Sequence, residues 1–206
     1  MLSSEVEDGA SEFRRTLERI FNIRREADDT FKILEMRPQG PPQHLGQLPE
    51  NLNTIQRFDE EEAANTRSFR LGSKNRINRK TMAIDRVDEV VLVGTKEIWE
   101  ITNISGTHHP FHVHDVQFQI LDRNGEPPPL HERGWKDTVD VRDDETVRIM
   151  IELKDYPDPH TPYMFHCHIL EHEDHGMMGQ FAIVADLTVI PEVRTEAHRM
   201  MIDHDV

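Results

Sequence analysis

The chain carries a single cysteine, Cys167, so no internal disulfide can brace its 206 residues. It has no apolar run approaching the roughly 18 residues of a membrane span. The first ten residues, Met1 to Ala10, are acidic and offer none of the apolar stretch a signal peptide needs, so the sequence assigns no compartment. Lysine is scarce as well: Lys32, Lys74, Lys80, Lys96, Lys136 and Lys154 are the only ones. Lysine and arginine together number 24 against 39 acidic residues, for a formal net charge of -15. A surface of that sign repels nucleic acid and anionic membranes, and neither is expected as a partner. What remains, 36% hydrophobic and 31% charged residues, is a globular composition with room for one well-buried domain and appendages.

Phe13, Leu17, Ile20 and Phe21 fall at helical spacing with charge on the other face, which predicts an amphipathic N-terminal helix over 5–26. Phe31 to Met36 reads as a short strand. Pro38, Gly40, Pro41, Pro42, Gly46 and Pro49 then mark an extended connector. The acidic, alanine-containing stretch 58–65 predicts one or two helical turns. From Ser68 the texture changes to short alternating or β-branched segments. Strands are predicted near 68–72, 88–93, 96–103, 115–122, 137–141, 145–153, 162–168 and 179–185. Asn124-Gly125 and Asp143-Asp144 read as turns between them. Strands at this spacing predict an all-β Greek-key sandwich or barrel. The chain divides into helix and connector (1–66), the β domain (67–190) and a polar tail (191–206).

Thirteen histidines is a high count, and they cluster. One group is His108-His109-Pro110-Phe111-His112-Val113-His114. The other is His166-Cys167-His168-Ile169-Leu170-Glu171-His172, running on to Gly176-Met177-Met178. Thiolate, imidazole and thioether together suit copper, and two histidines, one cysteine and a weak axial methionine form a blue-copper set. Zinc is the rival metal, but a structural zinc site prefers several cysteines. Side chains alternate faces along a strand, so His166 and His168 point one way and Cys167 the other. One short segment can therefore serve two metal centres. His112 and His114 share a face if their segment is extended. After Cys167 the chain must turn back for His172 to reach the same metal, and Met177 can cap it axially.

The pattern His-Pro-Phe-His-x-His, then Trp135-Lys136-Asp137-Thr138, then His-Cys-His-x-x-x-His with Met177 ten residues after Cys167, resembles the last domain of multicopper oxidases. It is most similar to bacterial laccases, bilirubin oxidases and spore-coat laccases. The likeness is strong over about 85–185, and the stretch from 30 to 85 resembles the connector entering that domain. It implies a cupredoxin-like sandwich with type 1 copper on His109, Cys167, His172 and Met177. It further implies that His112 serves a type 2 copper and that His114, His166 and His168 serve a type 3 pair. Glu173 matches a carboxylate that supplies protons for oxygen reduction. Dioxygen and a small reducing substrate would be the partners. Such proteins are often exported.

One departure bears on activity. The trinuclear cluster of the family needs eight histidines, four of them from two further His-x-His motifs in a first domain. The His-x-His pairs present are 112/114 and 166/168, both of the last-domain kind, so a domain or chain carrying the first-domain motifs is expected as a partner. A stand-alone blue-copper electron-transfer protein and an inactive oxidase fragment are the competing expectations. His44, His131, His160, His198 and His204 are expected at the surface, His108 and His175 exposed beside ligands, and Trp135 in packing.

Overall fold

The computed structural model describes residues 53–193 continuously, with Leu34, Glu35, Arg37, Gln39, Gly40, Gly46 and Gln47 before them. The expected helix at 5–26, most of the expected strand at 31–36 and of the connector, and the tail beyond Val193 lie outside the described residues.

The strands are β1 (Ala63–Gly72), β2 (Arg76–Ile77), β3 (Glu89–Leu92), β4 (Thr95–Asn103), β5 (His109–Val113), β6 (Phe118–Arg123), β7 (Thr138–Val141), β8 (Thr146–Leu153), β9 (Tyr163–Cys167) and β10 (Met178–Val184). One sheet runs β2-β1-β4-β8-β6 and the other β3-β10-β9-β5-β7. From β2 to β9 every connection crosses between the sheets, as a Greek-key sandwich requires; only β1 to β2 and β9 to β10 stay within one sheet, because each pair is adjacent and antiparallel. The pairs β1/β4 and β3/β10 are parallel and the others antiparallel. The architecture is an all-β sandwich, one of the two forms that the strand spacing predicts, and cupredoxin-like as the resemblance implies.

Alternation builds the core. In β8, Val147, Ile149, Ile151 and Leu153 lie on one face and are fully buried, while Thr146, Arg148 and Glu152 between them stay partly exposed. Phe69 and Trp99 of the first sheet meet Phe111, Phe165 and Phe181 of the second, with ring centroids 5.0–6.0 Å apart. Arg67 locks one end: its guanidinium donates to the buried Glu97 at 2.6 and 2.9 Å, to Glu89 at 2.7 Å and to the Val90 carbonyl at 2.6 Å, joining β1 and β4 to β3. Glu97 also accepts from Trp99 Nε1 at 3.1 Å, so the buried charge is paired and bonded.

One local expectation gives way to tertiary pairing. In place of helical turns over 58–65 there is a single 3-10 turn, Glu60–Glu62, capped by Asp59, whose carboxylate accepts from Glu61 N. The chain then enters β1 at Ala63, because Ala63–Leu71 pairs in parallel with Lys96–Asn103. That ladder outweighs the modest helix preference of Ala and Glu. His109–Val113 is also a full strand, with His109, Phe111 and Val113 buried and Pro110 and His112 between them only partly so.

Candidate metal centre

β5 and β9 are antiparallel neighbours, with Phe111 opposite Cys167 and His112 opposite His166. Directly opposed residues in a ladder share a face. His109, Phe111, Val113, Phe165 and Cys167 therefore face the core, where all are buried. His112, His114, Met164 and His166 point the other way. His168 continues the pattern one residue past β9, its N–H donating to the Pro110 carbonyl at 2.8 Å.

On the core side, His109 Nδ1 lies 3.4 Å from Cys167 Sγ, and His172 Nδ1 lies 3.6 Å from the same sulfur. The three ligand atoms fall within 4.8 Å of one another. His172 returns to the sulfur because the chain coils into the short helix Leu170–Asp174 directly after His168. Gly176, with φ 82°, ends that helix, and its carbonyl accepts from Met82 N at 2.9 Å. Glycine tolerates that left-handed conformation without a Cβ clash. Met177 follows fully buried. Its N–H donates to the His172 carbonyl, and its own carbonyl accepts from Cys167 N at 3.0 Å. Met178 sits directly opposite His166, on the other face, so parity assigns Met177 and not Met178 to the sulfur side.

On the opposite face four imidazoles form a wall. Ring centroids of His112, His114, His166 and His168 lie 5.1–5.6 Å apart in neighbouring pairs. His112, His114 and His166 bring ligand nitrogens within 4.8 Å of one another. The strands set ring orientation. His112 Nδ1 donates to the Asp137 carbonyl at 2.8 Å and lies 3.0 Å from Thr138 Oγ1. His166 Nδ1 donates to the Cys167 carbonyl at 3.1 Å. Both rings then carry a bare Nε2, and that of His166 stands 3.2 Å from His114 Nε2.

Burial favours the neutral ring in His109, His114 and His166. It pushes His109 down to about 4, aided by the neighbouring imidazoles of His172 and His108. His114 is held below the ordinary imidazole value by burial and then by His166 and His112. In His166 burial outweighs the opposing pull of the Cys167 carbonyl and of Glu173. Neutral imidazole is the form that binds metal. Glu173 is half-buried with a carboxylate oxygen 3.5 Å from His166 Nδ1. One buried thiol, two imidazoles and an adjacent buried thioether fit copper, and the bare nitrogens of the wall fit a second imidazole-bound centre.

All eight residues expected as metal ligands thus lie in two groups on opposite faces of one sheet. Of the accessory expectations, His131 is exposed, whereas His108 is only half-exposed, its Nδ1 2.8 Å from Asp140. His160 is partly buried with Nδ1 2.9 Å from the Glu192 carbonyl. His175 is exposed, and His44, His198 and His204 lie outside the described residues. Trp135 packs edge-on against Phe58 at 5.3 Å yet stays 40% exposed. Sequence reasoning missed the groups that orient the ligands: the Asp137 carbonyl and Thr138 on His112, and Ser105, whose Oγ lies 2.7 Å from His109 Nε2. Thr138 stood in a motif already singled out; a backbone carbonyl has no sequence signature.

A Greek-key sandwich with a thiolate–imidazole cluster at its core edge defines a cupredoxin-type copper domain. Residues 47–186 match the multicopper oxidase family model, and the chain belongs to that family, whose cofactor is copper. A laccase from Haloferax volcanii is 34% identical over 170 residues, covering 77% of this chain and 29% of the relative. A multicopper oxidase from Staphylococcus haemolyticus is 41% identical over 111 residues, covering 52% of this chain and 24% of the relative. The solved laccase-like multicopper oxidase of Ochrobactrum sp. superposes with a TM-score of 0.61 at 35% identity, covering 67% of this chain and 34% of that one. The chain thus spans about a quarter to a third of the relatives it matches.

Proposed function

We propose that this chain is the last-domain part of a copper-dependent oxidase. A small reducing substrate gives up electrons at the sulfur–imidazole site, and dioxygen accepts them at the histidine wall. The observation that carries this reading is the β5/β9 register, which sets Cys167 on one face between His166 and His168 on the other. His109, Cys167, His172 and Met177 would hold the type 1 copper. His112 would serve a type 2 ion, and His114, His166 and His168 a type 3 pair. Copper, when bound, supplies the one-electron redox chemistry. Cys167 is bonded through the backbone to both wall histidines, and neighbouring Cα atoms are about 3.8 Å apart, so the route between the faces is wholly covalent. Glu173, with a carboxylate oxygen 3.5 Å from His166 Nδ1, would relay protons to the wall where oxygen reduction consumes them.

Four imidazoles are half of the eight that such a cluster needs. The other four would come from a first-domain segment, in the same polypeptide or another. Relatives include a bilirubin oxidase from Albifimbria verrucaria as well as laccases. The substrate proposed for this chain is correspondingly a phenol, an aromatic amine, a bilirubin-like pigment or a reduced metal ion. A second reading rests on the same geometry: the sulfur site would draw all four ligands from this chain, three of them buried, while the wall supplies four of eight imidazoles, which suits a blue-copper electron carrier. Oxygen uptake by the copper-loaded chain with a phenolic substrate separates the two. The oxidase reading expects uptake only after a domain bearing two first-domain His-x-His motifs is added, with loss on His166→Ala. Absence of uptake in both conditions, from a chain that still exchanges electrons with a redox partner, favours the carrier.

A further inference from the structure

The loop between β4 and β5 is fixed more tightly than a surface turn requires. Asn103, fully buried at the end of β4, donates from Nδ2 to the Thr107 carbonyl at 2.7 Å and to the Val141 carbonyl at 2.9 Å. Its Oδ1 accepts from Ser105 N at 3.0 Å. Gly106, at φ 91°, donates its N–H to Asp143 Oδ1 at 2.8 Å. These bonds hold Ser105 so that its Oγ meets three groups: the Thr107 carbonyl at 3.1 Å, Thr107 N at 3.4 Å and His109 Nε2 at 2.7 Å.

We propose that Ser105 is a positioning residue that sets the tautomer and tilt of His109 as a copper ligand. A hydroxyl has one proton to give, and a carbonyl can only accept. With that proton directed to the Thr107 carbonyl, Oγ accepts from His109 Nε2–H. A neutral imidazole carries one ring proton, so Nδ1 is left bare, and Nδ1 is the nitrogen 3.4 Å from Cys167 Sγ. The reverse arrangement would put a proton on Nδ1 and block the side that faces the sulfur. Metal-bound histidines generally give their second ring N–H to such a fixed acceptor, and loss of that partner typically costs about 10–100-fold in metal affinity or activity. Ser105 is half-buried in a loop, so its truncation leaves the core contacts in place. The inference rests on the assignment of His109 to the copper set made above.

The test uses the full chain in two states. Without metal, long-range proton–nitrogen NMR of the histidine rings reads the His109 tautomer directly. The expected result is a proton on Nε2 in the parent and in Ser105→Thr, and a mixture in Ser105→Ala. With copper, Ser105→Ala should bind about tenfold more weakly and shift the visible absorption band, and Ser105→Thr should restore both. A parent His109 protonated on Nδ1 overturns the proposal, as does a Ser105→Ala chain that matches the parent in tautomer, affinity and spectrum. A parent that takes up no copper counts against the copper assignment itself, and the metal-free tautomer then decides the role of Ser105.

Discussion

On the core-facing side of the β3-β10-β9-β5-β7 sheet, His109, Cys167 and Met177 are 2% exposed or less. On its other side, one residue away along the same strands, His166 is buried, but His112 and His114 are half-buried and His168 is exposed. The first group sits within the aromatic core and is tied by the Cys167–Met177 backbone bond. The second is held by strand register and by Nδ1 bonds from His112 and His166 to backbone carbonyls. The difference teaches that a single alternating strand can supply one finished metal site and one half-built one. In the proposed function, the core would complete the former and a further domain the latter.

The sharpest way to break the comparison is at the shared residue. Cys167→Ser should abolish the red-region absorption of the copper-loaded chain while leaving the four-imidazole wall intact; visible spectroscopy checks it, and a blue Ser variant contradicts the thiolate assignment.

A large effect is also expected from acid on the metal-free chain. Buried His109 protonates only near 4 when folded, but near 6.5 when unfolded. Between those values the unfolded state binds more protons, so stability falls as pH drops from about 6.5 to about 4, by up to about 3 kcal/mol from this ring. His114 and His166 shift in the same direction. Urea melts across that range check it, and His109→Asn should flatten the dependence.

Gly179 tests how far the core supports both sites. It lies opposite Phe165, and an added Cβ would collide with the Phe165 ring and come within 2.9 Å of Asp88 Oδ2. Gly179→Ala should therefore cost about 1–3 kcal/mol and disturb the residue next to His166. An unchanged melting temperature would mean the ring moves freely.

Most of this contrast is legible in the residue order. Val147, Ile149, Ile151 and Leu153 announce β8 by alternation, and His166-Cys167-His168 announces its own division between faces. The first half of β1 does not, because Ala63, Ala64 and Asn65 carry no strand preference and are recruited by the ladder with β4. Nor does β5, where proline and histidine mask the alternation that burial reveals. The choice between Met177 and Met178 needs the β9/β10 register, and the bonds to His112 and His109 come from a carbonyl and a loop serine.

The smallest expected effect sharpens that methionine choice. Met177→Leu should keep the chain blue and raise its reduction potential, because a weak axial donor stabilises the oxidised ion. Met178→Leu, on the histidine side, should shift it little; redox titration of both variants checks the ordering.

The most direct test of the two-faced account is copper stoichiometry read against the visible spectrum of the chain alone. The account predicts one tightly held copper per chain, blue and dependent on Cys167, with any further copper held weakly and removed by mild chelation. A colourless copper complex, or several tightly held ions with sustained oxygen reduction and no added domain, would contradict it.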